Sequence, residues 1–150
     1  MADAGACEYE SAAGPDAVSN EILVVEDNAE TSRLIEFILR HAGYQVRVAK
    51  GYTEAVAAIE GTTFLLYLLD QNLNGTGTGI DLCLRIKAGD RTLPVVFCSA
   101  LDDHATRAAA VAAGCDFYMV KPSDTLNLIP VVRTMLAQRT LACAGSPAGK

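Results

Sequence analysis

Two apolar runs in this chain stop on carboxylates. Phe64-Leu65-Leu66-Tyr67-Leu68-Leu69 closes on Asp70, and Ile22-Leu23-Val24-Val25 closes on Glu26-Asp27. Runs of this length and apolarity are typical of strands buried on both faces of a parallel sheet. A carboxylate where such a strand ends lies at the carboxyl edge of the sheet, where open α/β folds bind ligands. If the two strands are neighbours, Glu26, Asp27 and Asp70 converge in one crevice and repel one another unless a cation joins them. Hard oxygen donors in a small cluster suit Mg²⁺, with Mn²⁺ as a substitute, because such an ion keeps several waters and takes few carboxylates. Asp27 and Asp70 are the expected direct ligands, Glu26 the holder of a metal-bound water, and the backbone carbonyl of Asn72 a further donor. A carboxylate so placed can also act as a nucleophile toward phosphorus. Two more apolar runs end in polar groups, Ser99 and Lys121-Pro122. Lys121 would add a point charge for phosphoryl oxygens, and the Ser99 hydroxyl a hydrogen bond.

The rest of the chain supplies elements that bring these ends together. Strand 21–26 leads into a helix over 29–42, where Leu34, Ile35, Ile38 and Leu39 repeat at helical spacing and Gly43 stops the run. A short strand over 45–49, a helix over 52–60 closed by Gly61, and the strand 64–70 follow. After the loop 71–79 come a helix over 80–88, a strand over 94–99, and an Ala-rich helix capped by Asp102 that runs to Ala113 and ends at Gly114. The last strand is 117–121. A final helix begins near Asn127–Pro130, where proline costs little, and continues to about Arg139. Five strands alternating with five helices predict right-handed βαβ crossovers and a parallel sheet covered on both faces.

Composition narrows the class. The chain has 150 residues, of which 51% are apolar and 20% charged, as in ordinary globular proteins. A net charge of −6 argues against direct binding of nucleic acid, which needs clustered Lys and Arg. No apolar stretch approaches the ~18 residues of a membrane span, and the acidic N-terminus is no signal peptide. The five cysteines show no C-x-x-C spacing and read as free thiols in a reducing cytoplasm. Residues 1–20 are expected to be a disordered acidic tail, 21–139 the folded domain, and 140–150 a flexible tail.

The motifs Val24-Val25-Glu26-Asp27-Asn28, Leu68-Leu69-Asp70, Phe97-Cys98-Ser99-Ala100 and Tyr118-Met119-Val120-Lys121-Pro122 occur in order at successive strand ends. Together they resemble the receiver domain of bacterial two-component response regulators, over about residues 20–139. The resemblance implies a flavodoxin-like sheet of order 2-1-3-4-5. It implies that Asp70 accepts a phosphoryl group from a sensor histidine kinase or a histidine phosphotransfer protein, with Glu26 and Asp27 as the acidic metal pair. Ser99 takes the Thr/Ser switch position, Tyr118 the aromatic switch position and Lys121 the phosphate-sensing position, and the Lys121-Pro122 bond would be cis. Phosphorylation would then remodel the face built from the fourth helix, fifth strand and fifth helix. The output would be a changed affinity for a protein target, in a monomer or a phosphorylation-dependent dimer.

The chain departs from the family pattern in the loop after Asp70. Asn74 stands where proline is frequent, and Gly75-Thr76-Gly77-Thr78-Gly79 makes the loop one residue longer than the commonest form. Leu101 is apolar at a position that, with Asn72, bears on water access in the family. The glycine run is not G-x-G-x-x-G and predicts no dinucleotide site. Plainer roles compete with the functional ones: Asp27 or Asn28 would also serve as a helix cap, Tyr118 as packing, Ser99 as a loop cap. His41 and His104 read as surface residues. Two other functions remain open, a receiver belonging to a larger DNA-binding regulator or hybrid kinase, and a metal-dependent aspartyl phosphohydrolase. The hydrolase is disfavoured by Asn72, where dehalogenase-like phosphatases carry a second aspartate, and by the lack of a cap domain.

Overall fold

In a computed structural model of the chain, the backbone is described for residues 19–73, 77–100, 103–121 and 127–149, and side chains through residue 138. The elements are β1 (Glu21–Val25), α1 (Ala29–His41), β2 (Gln45–Ala49), α2 (Tyr52–Gly61), β3 (Leu66–Leu69), α3 (Gly79–Gly89), β4 (Val95–Ser99), α4 (His104–Ala112), β5 (Phe117–Val120) and α5 (Leu128–Gly149). All strand pairs are parallel, in the order β2-β1-β3-β4-β5. β3 and β4 are buried at every position, so their sequences show no alternation; the edge strands β2 and β5 each expose residues.

Side chains alternate across this sheet into two cores. Leu23, Val25, Tyr67, Leu69, Val95 and Phe97 face Ala55 of α2, Leu82, Cys83 and Ile86 of α3, and Ala110 of α4. Ile22, Val24, Leu66, Leu68, Val96 and Cys98 face Ile35 and Leu39 of α1 and Leu128, Val132 and Met135 of α5. The register pairs Val25 with Leu69 and Leu69 with Phe97, so β1, β3 and β4 end side by side. That alignment brings the residues after each strand to a common edge.

Several boundaries differ from the sequence reading. β3 begins at Leu66, with Leu65 N donating to Glu21 O (2.9 Å) just before it; Phe64 stays outside the strand, its amide donating to the Tyr67 hydroxyl (2.9 Å). β4 begins at Val95: Pro94 has no N–H, and only its carbonyl joins the sheet, accepting from Tyr67 N (3.0 Å). α4 is capped by Asp103, not Asp102; its side chain accepts from Thr106 N (2.9 Å), the third helical residue. Asn28, not Asp27, caps α1, which leaves the Asp27 carboxylate available to the crevice. α5 continues past Arg139 to Gly149, through the alanines at 142 and 144, which favour helix. Pro130 lies in its first turn, as expected. Gly43 and Gly114 terminate α1 and α4 with φ of +103° and +107°, a region in which a side chain is strained. Most of the expected N-terminal tail, and Asn74, Gly75, Thr76, Leu101, Asp102 and Pro122, lie outside the described residues. Ser19 N donates to Thr63 O (2.8 Å). Among the described residues, no helix is long and apolar enough to cross a membrane.

Candidate phosphoryl and metal site

The crevice is built from chain segments that have just left the sheet. Glu26 follows β1 and donates its amide to Ala49 O (3.1 Å); Asp70 follows β3 and donates its amide to Val25 O (3.1 Å). These bonds extend the ladder one step and fix both backbones. Carboxylate oxygens of Glu26, Asp27 and Asp70 all lie within 4.8 Å of one another. Glu26 is 2% exposed and Asp70 7%, so the cluster is poorly solvated.

Lys121 enters from the far side of the sheet. It follows β5, held by its amide to Ser99 O (2.9 Å), and its Nζ lies 2.6 Å from Glu26 Oε1 and 3.3 Å from Asp70 Oδ2. Burial pushes the Glu26 carboxyl up; the Lys121 hydrogen bond opposes this and the Asp70 charge adds to it, and the net displacement is upward. Burial pulls the Lys121 ammonium down, but the hydrogen bond to Glu26 and the two negative charges outweigh it and hold it above its ordinary value. One ammonium against three carboxylates leaves the crevice net negative, which is the electrostatic condition for a divalent cation.

The remaining predicted residues are distributed around this centre. Asn72 N donates weakly to Asp70 Oδ1 (3.4 Å), so the loop turns back over the carboxylate. Ser99 is buried at the end of β4, beside Val120 in the register. Tyr118 is not among the acids. It lies in the core, stacked on Phe97 with centroids 5.8 Å apart and planes at 5°.

Sequence reasoning did not find the residues that shape the β3–α3 loop. Gln71 ties the loop closed, its carbonyl accepting from Gly79 N (3.2 Å) and its side chain from Ile80 N (2.9 Å). Thr78 and Asp81 form a reciprocal capping box at the start of α3. A Cβ on Gly79 would collide with the Asp70 carbonyl oxygen and reach 3.0 Å from Phe97 Cε2, and one on Gly77 would collide with the Tyr52 ring. Gly77 and Gly79 are therefore close-packed, Gly79 directly against the phosphoacceptor candidate. The Thr78-x-x-Asp81 spacing was the one signal in the sequence for this arrangement.

Residues 22–133 match the family described as the response regulator receiver domain. The chain belongs to that family. Receiver domains are signalling switches of two-component systems. It is 31% identical over 119 residues to the response regulator ArlR of Staphylococcus saprophyticus, covering 79% of this chain and 53% of that protein. It is 32% identical over 121 residues to the DNA-binding response regulator MtrA of Mycobacterium tuberculosis, covering 81% of this chain and 52% of that protein. The chain thus spans about half the length of the curated relatives it matches. A CheY-like receiver domain protein from Methanospirillum hungatei shares the fold with a TM-score of 0.76 at 24% identity, over 81% of this chain and 96% of that one.

Proposed function

We propose that this receiver domain is a phosphorylation-activated switch in which Asp70 accepts a phosphoryl group from a phosphohistidine donor. The observation that carries the reading is the crevice itself, three carboxylates within 4.8 Å of one another with the Lys121 ammonium between Glu26 and Asp70. Asp27 and Asp70 would hold Mg²⁺ directly, Glu26 through a water, and the Asn72 carbonyl would complete the protein's share. The donor set fits, being all oxygen and net negative. When bound, the ion supplies positive charge for the phosphoryl oxygens. An Asp70 oxygen forms the new O–P bond as the P–N bond of phosphohistidine breaks, and the imidazole departs. Lys121, already aimed at Asp70, exchanges its carboxylate partner for a phosphoryl oxygen, and the Ser99 hydroxyl donates to another.

The readout proposed is a change in the surface formed by α4, β5 and α5, with Tyr118 as its aromatic element. Family membership implies a histidine kinase upstream. The partners are then a sensor kinase or phosphotransfer protein as donor and a protein target as recipient, within the cytoplasm and without direct nucleic-acid contact by this domain. A second reading has one observation in its favour. Because the chain spans about half of relatives that include a DNA-binding regulator, this domain would also serve as the receiver of a longer DNA-binding protein.

The test is intact-mass measurement after incubation with Mg²⁺ and a small acyl phosphate. The native protein gains one phosphoryl group, and Asp70→Asn gains none. No adduct on the native protein, or an undiminished one on Asp70→Asn, rejects the proposal.

A further inference from the structure

α4 is weakly anchored to the sheet. Between His104 and Ala112 it buries one residue, Ala110, and Val111 is 64% exposed. Apolar burial, which ordinarily fixes a helix on a sheet, is small for a helix whose side chains are mostly methyl groups. A polar side chain on this helix instead reaches the aromatic core. The Arg107 guanidinium lies over the Tyr118 ring, 5.0 Å from its centroid. Tyr118 is 9% exposed and stacks on Phe97, its direct partner in the β4–β5 register. Phe97 in turn packs where Gly79 leaves room beside the Asp70 carbonyl. A continuous series of contacts therefore runs from the main chain of Asp70, by way of Gly79, through two rings, to one guanidinium on α4.

We propose that Arg107 is the positioning residue of the switch, holding the Tyr118 ring in the core and fixing α4 against β5 through that ring. A guanidinium suits the task because it is planar, stays charged and lies flat on an aromatic face, whereas a lysine ammonium supplies charge without the plane. The contact is made with the ring buried, so Arg107 sets how much of the population has Tyr118 inward. The assignment of a signalling role to that population rests on the switch reading above; the position of the ring does not.

The test uses the full chain with ¹³C-labelled tyrosine rings. The chain has five tyrosines, and Tyr118→Phe identifies the signal that matters. Ring position is read from the chemical shift and from broadening by a soluble paramagnetic probe. Arg107→Ala lowers the inward-to-outward ratio of Tyr118 by about two- to fivefold, the range expected for loss of one partly exposed cation–π contact. Arg107→Lys falls between Arg107→Ala and the native protein, and Val111→Ala on the same helix leaves the ratio unchanged. A Tyr118 signal unmoved in Arg107→Ala overturns the proposal, as does an equal displacement in Val111→Ala. Phosphoryl uptake measured on the same native sample separates the two ideas: its absence rejects the Asp70 reading and leaves the ring measurement to decide Arg107.

Discussion

Lys121 neutralises part of a cluster that would otherwise be three buried or half-buried acids. Removing it leaves Glu26, 2% exposed, without its 2.6 Å cation. Lys121→Ala should therefore lose roughly 1–3 kcal/mol of stability in the absence of divalent ions, the cost of a buried charged group left unpaired. Added Mg²⁺ should recover much of that loss in a thermal or urea titration, because the same negative cluster then binds the ion in the lysine's place. The variant should still take a phosphoryl group on Asp70 yet show no change in partner affinity on doing so. An unaltered affinity change would contradict that division of labour. The pH dependence of the metal-free protein has a definite sign. Glu26 is held above its ordinary 4.5, so the folded state retains a proton that the unfolded chain has released. Its contribution favours folding at low pH and fades as pH rises through the folded value. Urea unfolding should show native protein losing stability relative to Glu26→Gln across that window. Lys121, held above 10.5, acts only at alkaline pH, where its contribution is lost as the ammonium deprotonates.

At the level of elements, the start of α3 is packed tightly against the segment that carries Asp70. Gly79→Ala would drive a methyl group into the Asp70 carbonyl and against Phe97. It should destabilise the protein by about 1–3 kcal/mol, as overpacking does, and slow phosphoryl uptake by displacing the Asp70 backbone. A variant with native stability and native uptake would show that the start of α3 is not held this tightly. The strand ends were legible in the sequence because the buried stretches Ile22–Val25 of β1, all of β3 and Val95–Cys98 of β4 are apolar, so a carboxylate or serine marks where each stops. The β3–α3 turn was not legible: Gln71 closes it through a side chain bonded nine residues away, which no periodicity announces. The α4 cap was misplaced by one residue because Asp102 and Asp103 are chemically equivalent until the backbone decides which precedes the first helical turn. Arg107 was invisible for a similar reason, since its partner Tyr118 lies on another element and either residue alone reads as surface charge or core packing.

For the whole molecule, the sheet order follows from alternation of strands and helices, and the observed β2-β1-β3-β4-β5 order places β1, β3 and β5 ends where Glu26, Asp70 and Lys121 can meet. The two cores differ in kind. α1 and α5 contribute Ile35, Leu39, Leu128 and Val132 to one, whereas α4 contributes little beyond Ala110 to the other. A ligand on Ser99 and Lys121 should thus reorganise the α4–β5 region far more easily than β1–β3. Hydrogen exchange should slow in α4 and β5 on phosphorylation and stay unchanged in β1 and β3. Uniform slowing over the whole sheet would instead indicate simple ligand stabilisation. The switch proposed here requires that one carboxylate in the crevice, Asp70, carry the phosphoryl group. Borohydride reduces an aspartyl phosphate to homoserine, so reduction after incubation with Mg²⁺ and an acyl phosphate, followed by peptide mass mapping, locates the group directly. The account predicts homoserine at position 70 alone, dependent on Mg²⁺; conversion at Asp27 or elsewhere, or none at all, would contradict it.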